Sequence, residues 1–566
     1  MLFWKRRIVS HEIAPDEVFL DSSNLPGRDD GQFEGVVVRP VSTFAMTGVG
    51  VACVLIVSFF IARAYDLQVV HGAAYATISE NNRLDKHTLF ALRGIIYDRN
   101  GRALAWNEAA PAASASTTPF ALRSYSSLPG LSHLLGFVRY PKADAQGVWW
   151  RDTYAGVAGV EQSFDSTLAG VNGARIIETD AHGTVQERGI IAPPRDGNPL
   201  HLSIDSDVQS KLYSVLSTHA REQHFTGGAG VIIDVRTGEV LALTSYPEYD
   251  LSMFVNGDAS AIASASRSAG SPLLDRAISG LYVPGSIVKP IFASAALQEG
   301  IISPDKIIIS TGKIVVQNPY DKTHPSIFRD WTVHGPIDMR TAIAVSSDEY
   351  FYTIGGGFGG QVGLGISKID HYAQQFGLGT TTRIALSGEM AGVIPTPAWK
   401  QTVFGKDDPW RIGDTYHTAI GQYGFQITPI QAAVYTAAIA NGGKLFVPQL
   451  IASSTAPYRM VAIDDRNLAV VREGMRMAVT SDRHDATAKS LYIGGIHIAG
   501  KTGTAQLGTH NQWMNSWSIG FWPAENPHYA YAVVLEHAPA GTASGAAPGL
   551  VPFFQWLIQS HPEYVQ

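Results

Sequence analysis

The chain has 566 residues, 45% of them hydrophobic and 16% charged, with a formal net charge of −7. That length exceeds what one core supports, so several domains are expected. The acidic balance, with no basic run beyond Lys5-Arg6-Arg7, excludes nucleic acid as a partner, and the single cysteine, Cys53, excludes an intramolecular disulfide and any zinc site of paired cysteines.

Residues 8–40 are polar, acidic and broken by proline and glycine, the composition of a flexible tail. Val41 to Ala62, "VSTFAMTGVGVACVLIVSFFIA", carries no charge and is bracketed by Arg39 and Arg63; its 22 residues reach roughly 33 Å as a helix, enough for a bilayer. A cleaved signal peptide is the competing reading, with Ala62-Arg63-Ala64 as its cleavage site. The apolar core is longer than the usual run of about 7–15 residues and 40 residues precede it, which favours an uncleaved anchor. Lys5, Arg6, Arg7, Arg28 and Arg39 before the span, against Arg63 after it, put the N-terminus in the cytoplasm and the remaining chain outside it.

Beyond the span, "GIIYD" and "ALAW" flank Asn100-Gly101 and read as a hairpin. "GVAGVEQSFDSTLAGVNG" (156–173) reads as a short helix between glycine turns, and the loop "IAPPRDGNP" (191–199) as a domain boundary. "LHLSID" predicts a strand, Val208–Gln223 a helix, and 228–247 two strands around Thr237-Gly238. Helical patterns dominate from about 286 to 440. Three strands follow, in "GGIHIAGKTGTAQ", "SWSIGFWPAENP" and "YAYAVVLEHAP". A sheet with a helical segment inserted between its strands is an α+β plan.

Within the helical segment, "YVPGSIVKPIFASA" (282–295) sets one charge, Lys289, into an apolar run. Pro290 cannot bond back to the carbonyl at 286 and is tolerated in a first helical turn, so a helix start near Ser286 is expected. Lys289 then shares a face with Ser286, whose hydroxyl sits at the positive end of the helix dipole. A serine needs a base, and a lysine crowded by Ile287, Val288, Ile291 and Phe292 can have its pKa lowered by desolvation. The competing reading is a snorkelling lysine beside a plain N-cap serine.

Two further motifs complete a set: Ser286-x-x-Lys289, Ser346-x-Asp348 and Lys501-Thr502-Gly503 occur in that order, 60 and 155 residues apart. Ser-x-x-Lys alone is a weak signal, and the weight lies in all three together. With them the chain resembles the penicillin-binding proteins and serine β-lactamases, whose signature this set is. "RGIIYDRNGRALAWN" and "GVEQSFDSTLAG" resemble the pedestal of class B penicillin-binding proteins. "GVIPTPAWK", "WRIGDTYHTAIGQ" and "SSDEYFY" resemble the elongation-type, penicillin-binding protein 2 branch. No glycosyltransferase domain lies between span and pedestal, so class A does not fit.

The resemblance implies an α+β transpeptidase domain, an antiparallel sheet with helices, on an elongated pedestal behind a single N-terminal transmembrane helix. The expected organisation is tail 1–40, transmembrane helix 41–63, pedestal 64–198 and transpeptidase domain 199–566. It implies a membrane enzyme of the cytoplasmic (inner) membrane that cross-links peptidoglycan stem peptides. Ser286 attacks the D-Ala–D-Ala bond, Lys289 is the base and Ser346 relays a proton to the leaving amine. Asp348 and Lys501 complete the catalytic set, and the Ser286 and Thr504 backbone N–H groups form the oxyanion hole. Thr502, Gly503 and Thr504 bind the substrate carboxylate end, Gly503 by letting the substrate backbone approach. No cofactor is implied. β-Lactams are implied as covalent inhibitors, and a SEDS-family, RodA-type glycosyltransferase as membrane partner. Arg93, Asp98 and Arg99 serve either that docking or internal salt bridges. Some relatives carry a metal site near the middle motif that includes a cysteine; here Asp321, His324, Asp330 and His334 occur upstream without one, and no structural zinc is expected. A D,D-carboxypeptidase of the same fold and a non-turnover β-lactam sensor or scaffold are the rival functions, the sensor disfavoured by the short tail.

Overall fold

The computed structural model describes residues 42–112, 118–179, 185–255, 257–318, 321, 323–452 and 456–566; the expected tail 1–40 lies outside them. The chain divides into two compact units, Met1–Asp85 with Ile177–Glu187, and Lys86–Ile176 with Arg188–Gln566.

The first unit carries helix α1 (Thr43–Tyr65), 23 residues with none buried. Ser42 starts it, its hydroxyl accepting from the Ala45 N–H, and Arg63 pairs with Asp66 at 2.6 Å just past its apolar run. At 1.5 Å per residue the helix reaches about 35 Å, more than the roughly 30 Å of a bilayer's hydrocarbon. It is long and apolar enough to cross a membrane.

In the second unit the hairpin at Asn100-Gly101 forms as β1 (Ile96–Tyr97) and β2 (Ala103–Glu108), with β3 (Leu122–Tyr125) beside β2. The single helix expected in 156–173 is two turns, α2 (Gly159–Ser163) and α3 (Asp165–Leu168). Glu161 on α2 is fully buried and binds both Arg93, at 2.5 Å, and Arg123, at 2.8 Å; Arg93 also reaches Asp165 at 2.7 Å. The Asp98 carboxylate receives the Ser206 hydroxyl at 2.6 Å and the backbone N–H groups of Asn100 and Arg102. Arg93 and Asp98 therefore serve internal bonding, because a buried charge without a partner is untenable.

Strand β4 (Leu200–His201) joins β1 in parallel. It is shorter than "LHLSID" predicts because Asp205 turns away to cap α4 (Ser206–Glu222), accepting from the Asp207 and Val208 N–H groups. The main sheet has five strands: β5 (Gly227–Asp234), β6 (Val240–Tyr246), β7 (Ala499–Leu507), β8 (Trp513–Trp522) and β9 (Tyr529–Pro539). Their order is β6-β5-β9-β8-β7, antiparallel throughout, with β7 at an edge. Period-two alternation divides the strands between two cores. Val231, Ile233, Ala532 and Val534 face the larger core, and Ile232, Val533 and Leu535 the core shared with α4 and the C-terminal helix Val551–Ser560.

The larger core contains α5 (Lys289–Gln298) and α9, the latter fully buried over Pro429–Ala440 and started by a Thr428–Gln431 capping box. Between them lie α6 (Met339–Ala344), α7 (Asp348–Gly356) and α8 (Ile412–Ala419). The predicted helical stretch is interrupted at 308–337 by two small antiparallel strand pairs, Ile308–Ser310 with Gly335–Ile337 and Lys313–Val316 with Ser326–Arg329. Their β-branched runs fit a pleated surface better than a helix.

Candidate active site

The three motifs meet at a cleft of about 1150 Å³. Ser286 lies not in α5 but in the preceding 3₁₀ turn Gly285–Val288; the α-helix starts at Lys289, with Pro290 in its first turn as proline requires. That turn is tied down from three sides. The Gly285 N–H donates to the Gly421 carbonyl at 2.9 Å, the Trp517 indole to Val283 O at 3.0 Å, and the Tyr435 hydroxyl to Ile287 O at 2.9 Å. Ser286 is half-buried and lines the cleft.

Ser346 sits between α6 and α7 with φ +58°, a left-handed conformation unusual for serine. Its hydroxyl receives Lys501 Nζ at 2.7 Å and lies 3.4 Å from Lys289 Nζ. Lys289, with no side-chain exposure, also donates to Ser346 O at 2.7 Å and to Asp348 Oδ1 at 2.6 Å. The two lysines thus share one serine oxygen. Burial and the neighbouring Lys289 charge push Lys501 well below the usual ammonium range, against the pull of Asp348. Desolvation in the cleft wall raises the Asp348 carboxyl, with Lys289 opposing it.

Lys501 is on edge strand β7, opposite Ile519 of β8. Alternation gives Thr502 and Thr504 the other face of the strand, and both line the cleft. Gly503 lines the cleft and also packs closely against a neighbouring turn. A Cβ there would meet Ile287 Cγ2 at 2.8 Å and Pro284 O at 2.9 Å. The close approach is to the turn that carries Ser286.

Asp330 and His334, two of the four metal-site candidates, belong to a buried ion network. Asp330 accepts from the Ser347 hydroxyl at 2.7 Å and the Glu349 N–H at 2.9 Å, bracketing Asp348. His334 lies 3.6 Å from Asp330 and 2.7 Å from Asp485, and Arg483 closes on Asp485 at 2.8 Å. Burial opposes the charge on Asp330, but His334, Lys289, Ser347 and Glu349 hold it at about 2; Asp485, likewise against burial, is held at about 2 by Arg483 and His334. Asp321 and His324 pair with each other at 2.7 Å on the surface. The four candidates do not converge, and among the described residues no group of three or more His, Cys, Asp or Glu side chains is arranged to hold a metal ion. Sequence reasoning missed Arg483 and Asp485, which follow Asp330 by about 150 residues and leave no local signal.

A family model, the penicillin binding protein transpeptidase domain, matches residues 228–551, and the penicillin-binding protein dimerisation domain matches 115–202. The chain belongs to the penicillin-binding protein transpeptidase family. Curated relatives of this penicillin-binding protein include the peptidoglycan D,D-transpeptidase MrdA of Haemophilus influenzae, 31% identical over 77% of this chain and 69% of the relative. MrdA of Acinetobacter baumannii is 28% identical over 91% of this chain and 87% of its own. Among solved structures, penicillin-binding protein 2 of Pseudomonas aeruginosa in complex with WCK 5153 superposes with a TM-score of 0.68 at 29% identity, covering 85% of this chain and 100% of that one. Penicillin-binding protein 2 of Helicobacter pylori in complex with MreC gives 0.70 at 26%, covering 85% and 99%. These similarities place the chain with class B, alongside the penicillin-binding protein 2 branch.

Proposed function

We propose that this penicillin-binding protein is a serine D,D-transpeptidase that cross-links peptidoglycan stem peptides during cell-wall elongation. The observation that carries the mechanism is the pair of buried lysines sharing the Ser346 hydroxyl beside Ser286. Burial and the neighbouring Lys289 charge disfavour the ammonium form of Lys501. A proton passed from Lys289 through Ser346 Oγ to Lys501 leaves Lys289 neutral and able to take the Ser286 proton. Ser286 Oγ then attacks the penultimate D-Ala carbonyl. The oxyanion is held by the Ser286 and Thr504 N–H groups. Protonation of the leaving amine through Ser346 releases D-Ala, and an amine of a neighbouring stem resolves the acyl-enzyme. Lys501, Thr502 and Thr504 hold the terminal carboxylate by charge-assisted bonds, the same end a β-lactam presents when it acylates Ser286. The chain's own residues supply all of this chemistry.

The organisation we propose is tail 1–40, transmembrane helix 41–63, pedestal 64–198 and transpeptidase domain 199–566. The N-terminus is cytoplasmic and the catalytic domain lies outside the inner membrane. A SEDS-family, RodA-type glycosyltransferase is the proposed membrane partner, supported by α1 and by the relatives' kind. The test is to incubate the purified protein with a donor ester and an acceptor amine. Amide formation through an acyl-Ser286 intermediate is expected. Hydrolysis alone would make it a carboxypeptidase, and a stable acyl-enzyme without turnover a sensor.

A further inference from the structure

Resolving the acyl-enzyme poses a problem that the lysine pair does not solve. An acceptor amine of the lysine type, with a pKa near 10.4, would arrive as an ammonium with no lone pair to attack. Lys289 is engaged with Asp348 and Ser346, and Lys501 with Ser346. Of the other candidate bases that line the cleft, Asp330 is bound by the Ser347 hydroxyl and the Glu349 N–H and Lys489 donates to Arg483 O, which leaves His417. His417, in the last turn of α8, is half-buried there, and among the described residues its ring nitrogens make no hydrogen bond. Its ring lies 5.5 Å from Phe328 and 6.4 Å from Tyr352, which are 6.0 Å from each other. Phe328, Tyr352 and Asp348 line the same cleft, and Asp348 acts electrostatically on His417.

An aromatic group beside a carboxylate is what an ammonium recognises. We propose that His417, Phe328, Tyr352 and Asp348 form the acceptor subsite, with His417 as the base that converts the bound ammonium into the attacking amine. This rests on the transpeptidase reading above.

The charged groups that act on His417 are Asp414 on its own helix and Asp348 from α7, and the Tyr352 ring of α7 lies against it. Tyr352 is occupied, its hydroxyl donating to Arg329 O at 3.2 Å. Burial lowers the His417 pKa, opposed by Asp414 and Asp348, which favours the neutral ring that can accept a proton. In the step, the ammonium gives one proton to a His417 nitrogen, and the amine lone pair adds to the acyl carbon. As the bond from that carbon to Ser286 Oγ breaks, Oγ takes a second proton from the attacking nitrogen through the Ser346–lysine path. The products are an amide and free Ser286, and His417 returns its proton to water.

The test follows the acyl-enzyme formed from a donor thioester and measures its partition between water and amine in wild type, His417→Asn and His417→Gln, with thermal melting to confirm folding. Two acceptors are compared: a lysine-type primary amine, an ammonium at the assay pH, and hydroxylamine, a weakly basic amine already neutral there. We expect the aminolysis-to-hydrolysis ratio for the lysine-type amine to fall at least tenfold in both variants, the scale of general-base catalysis being about 10²–10⁴-fold, and the deficit to vanish with hydroxylamine. An unchanged ratio, or equal losses with both amines, would overturn the role of His417. Failure of the wild type to form an acyl-Ser286 at all would instead overturn the transpeptidase reading.

Discussion

Replacing Asp348 by Asn keeps the size and acceptor capacity of the side chain and removes its charge from Lys289. The separation is 2.6 Å. At an effective dielectric constant of about 20, that distance corresponds to roughly 6 kcal/mol of attraction before the desolvation penalty. That penalty is substantial here, since desolvation is the leading influence on Asp348 and raises its pKa despite Lys289. The net effect is therefore smaller than that attraction. The sign is fixed. The anion favours protonated Lys289, acylation needs a neutral lysine, and so removing the anion lets the pair lose its proton at lower pH. The ascending limb of the penicillin acylation rate should therefore move to lower pH in Asp348→Asn. Stopped-flow acylation across pH for wild type and variant decides it. Superimposable profiles would mean that Asp348 acts as a hydrogen-bond acceptor alone, and an upward shift would refute the charge argument outright.

Three further outcomes are expected. Thr502→Val removes a hydroxyl from the proposed carboxylate site and should slow penicillin acylation roughly tenfold or more, the loss of one charge-assisted bond of about 1.5–3 kcal/mol; an unchanged rate constant would count against that role. Asp330 and Asp485 are held near 2 against an ordinary 3.8, so each contributes stability above the ordinary value that is lost as pH falls through about 2. Asp485→Asn should accordingly lower the melting temperature at neutral pH, and its difference from wild type should shrink on acidification; a difference independent of pH would show that the pairing is not electrostatic. Exchanging α1 for an unrelated apolar helix of equal length should weaken co-purification of a RodA-type partner, and intact co-purification would exclude span-specific docking.

The parts of this molecule that repeat a local pattern were legible in its sequence. The five sheet strands follow apolar runs bounded by turn residues, α1 follows its uncharged run, and the hairpin follows Asn100-Gly101. The turn at Ser286 was half legible. Pro290 required a nearby helix start, but the start falls at Lys289 because the backbone of 283–287 is held by Gly421, Trp517 and Tyr435. None of those contacts has a signature in the local sequence. Gly503 was legible as a position of close approach, yet the approaching group, the 284–287 turn, is more than 200 residues earlier. The Arg483–Asp485–His334–Asp330 chain was illegible for the same reason. His417 lies inside a stretch that resembles the elongation branch, but its neighbours Phe328 and Tyr352 come from other elements.

Ser346 explains why those distant contacts matter to the chemistry. A left-handed serine costs on the order of 1–3 kcal/mol and persists where its surroundings over-determine it. Here Asp330 fixes the residues on both sides of Asp348. The Glu349 carboxylate, next in the chain, accepts from Ser310 Oγ and from the Thr311 and Gly312 N–H groups. With α7 anchored at its first turn by two buried carboxylates, the backbone at 346 has little freedom to relax into an ordinary conformation. That leaves the Ser346 hydroxyl between two lysines, one from α5 and one from β7. Had Ser346 continued α6 as a helical residue, its side chain would follow the helix face, and the shared oxygen that couples Lys289 to Lys501 would be lost. The buried charge network behind the cleft is thus part of what makes a proton path between those lysines geometrically available.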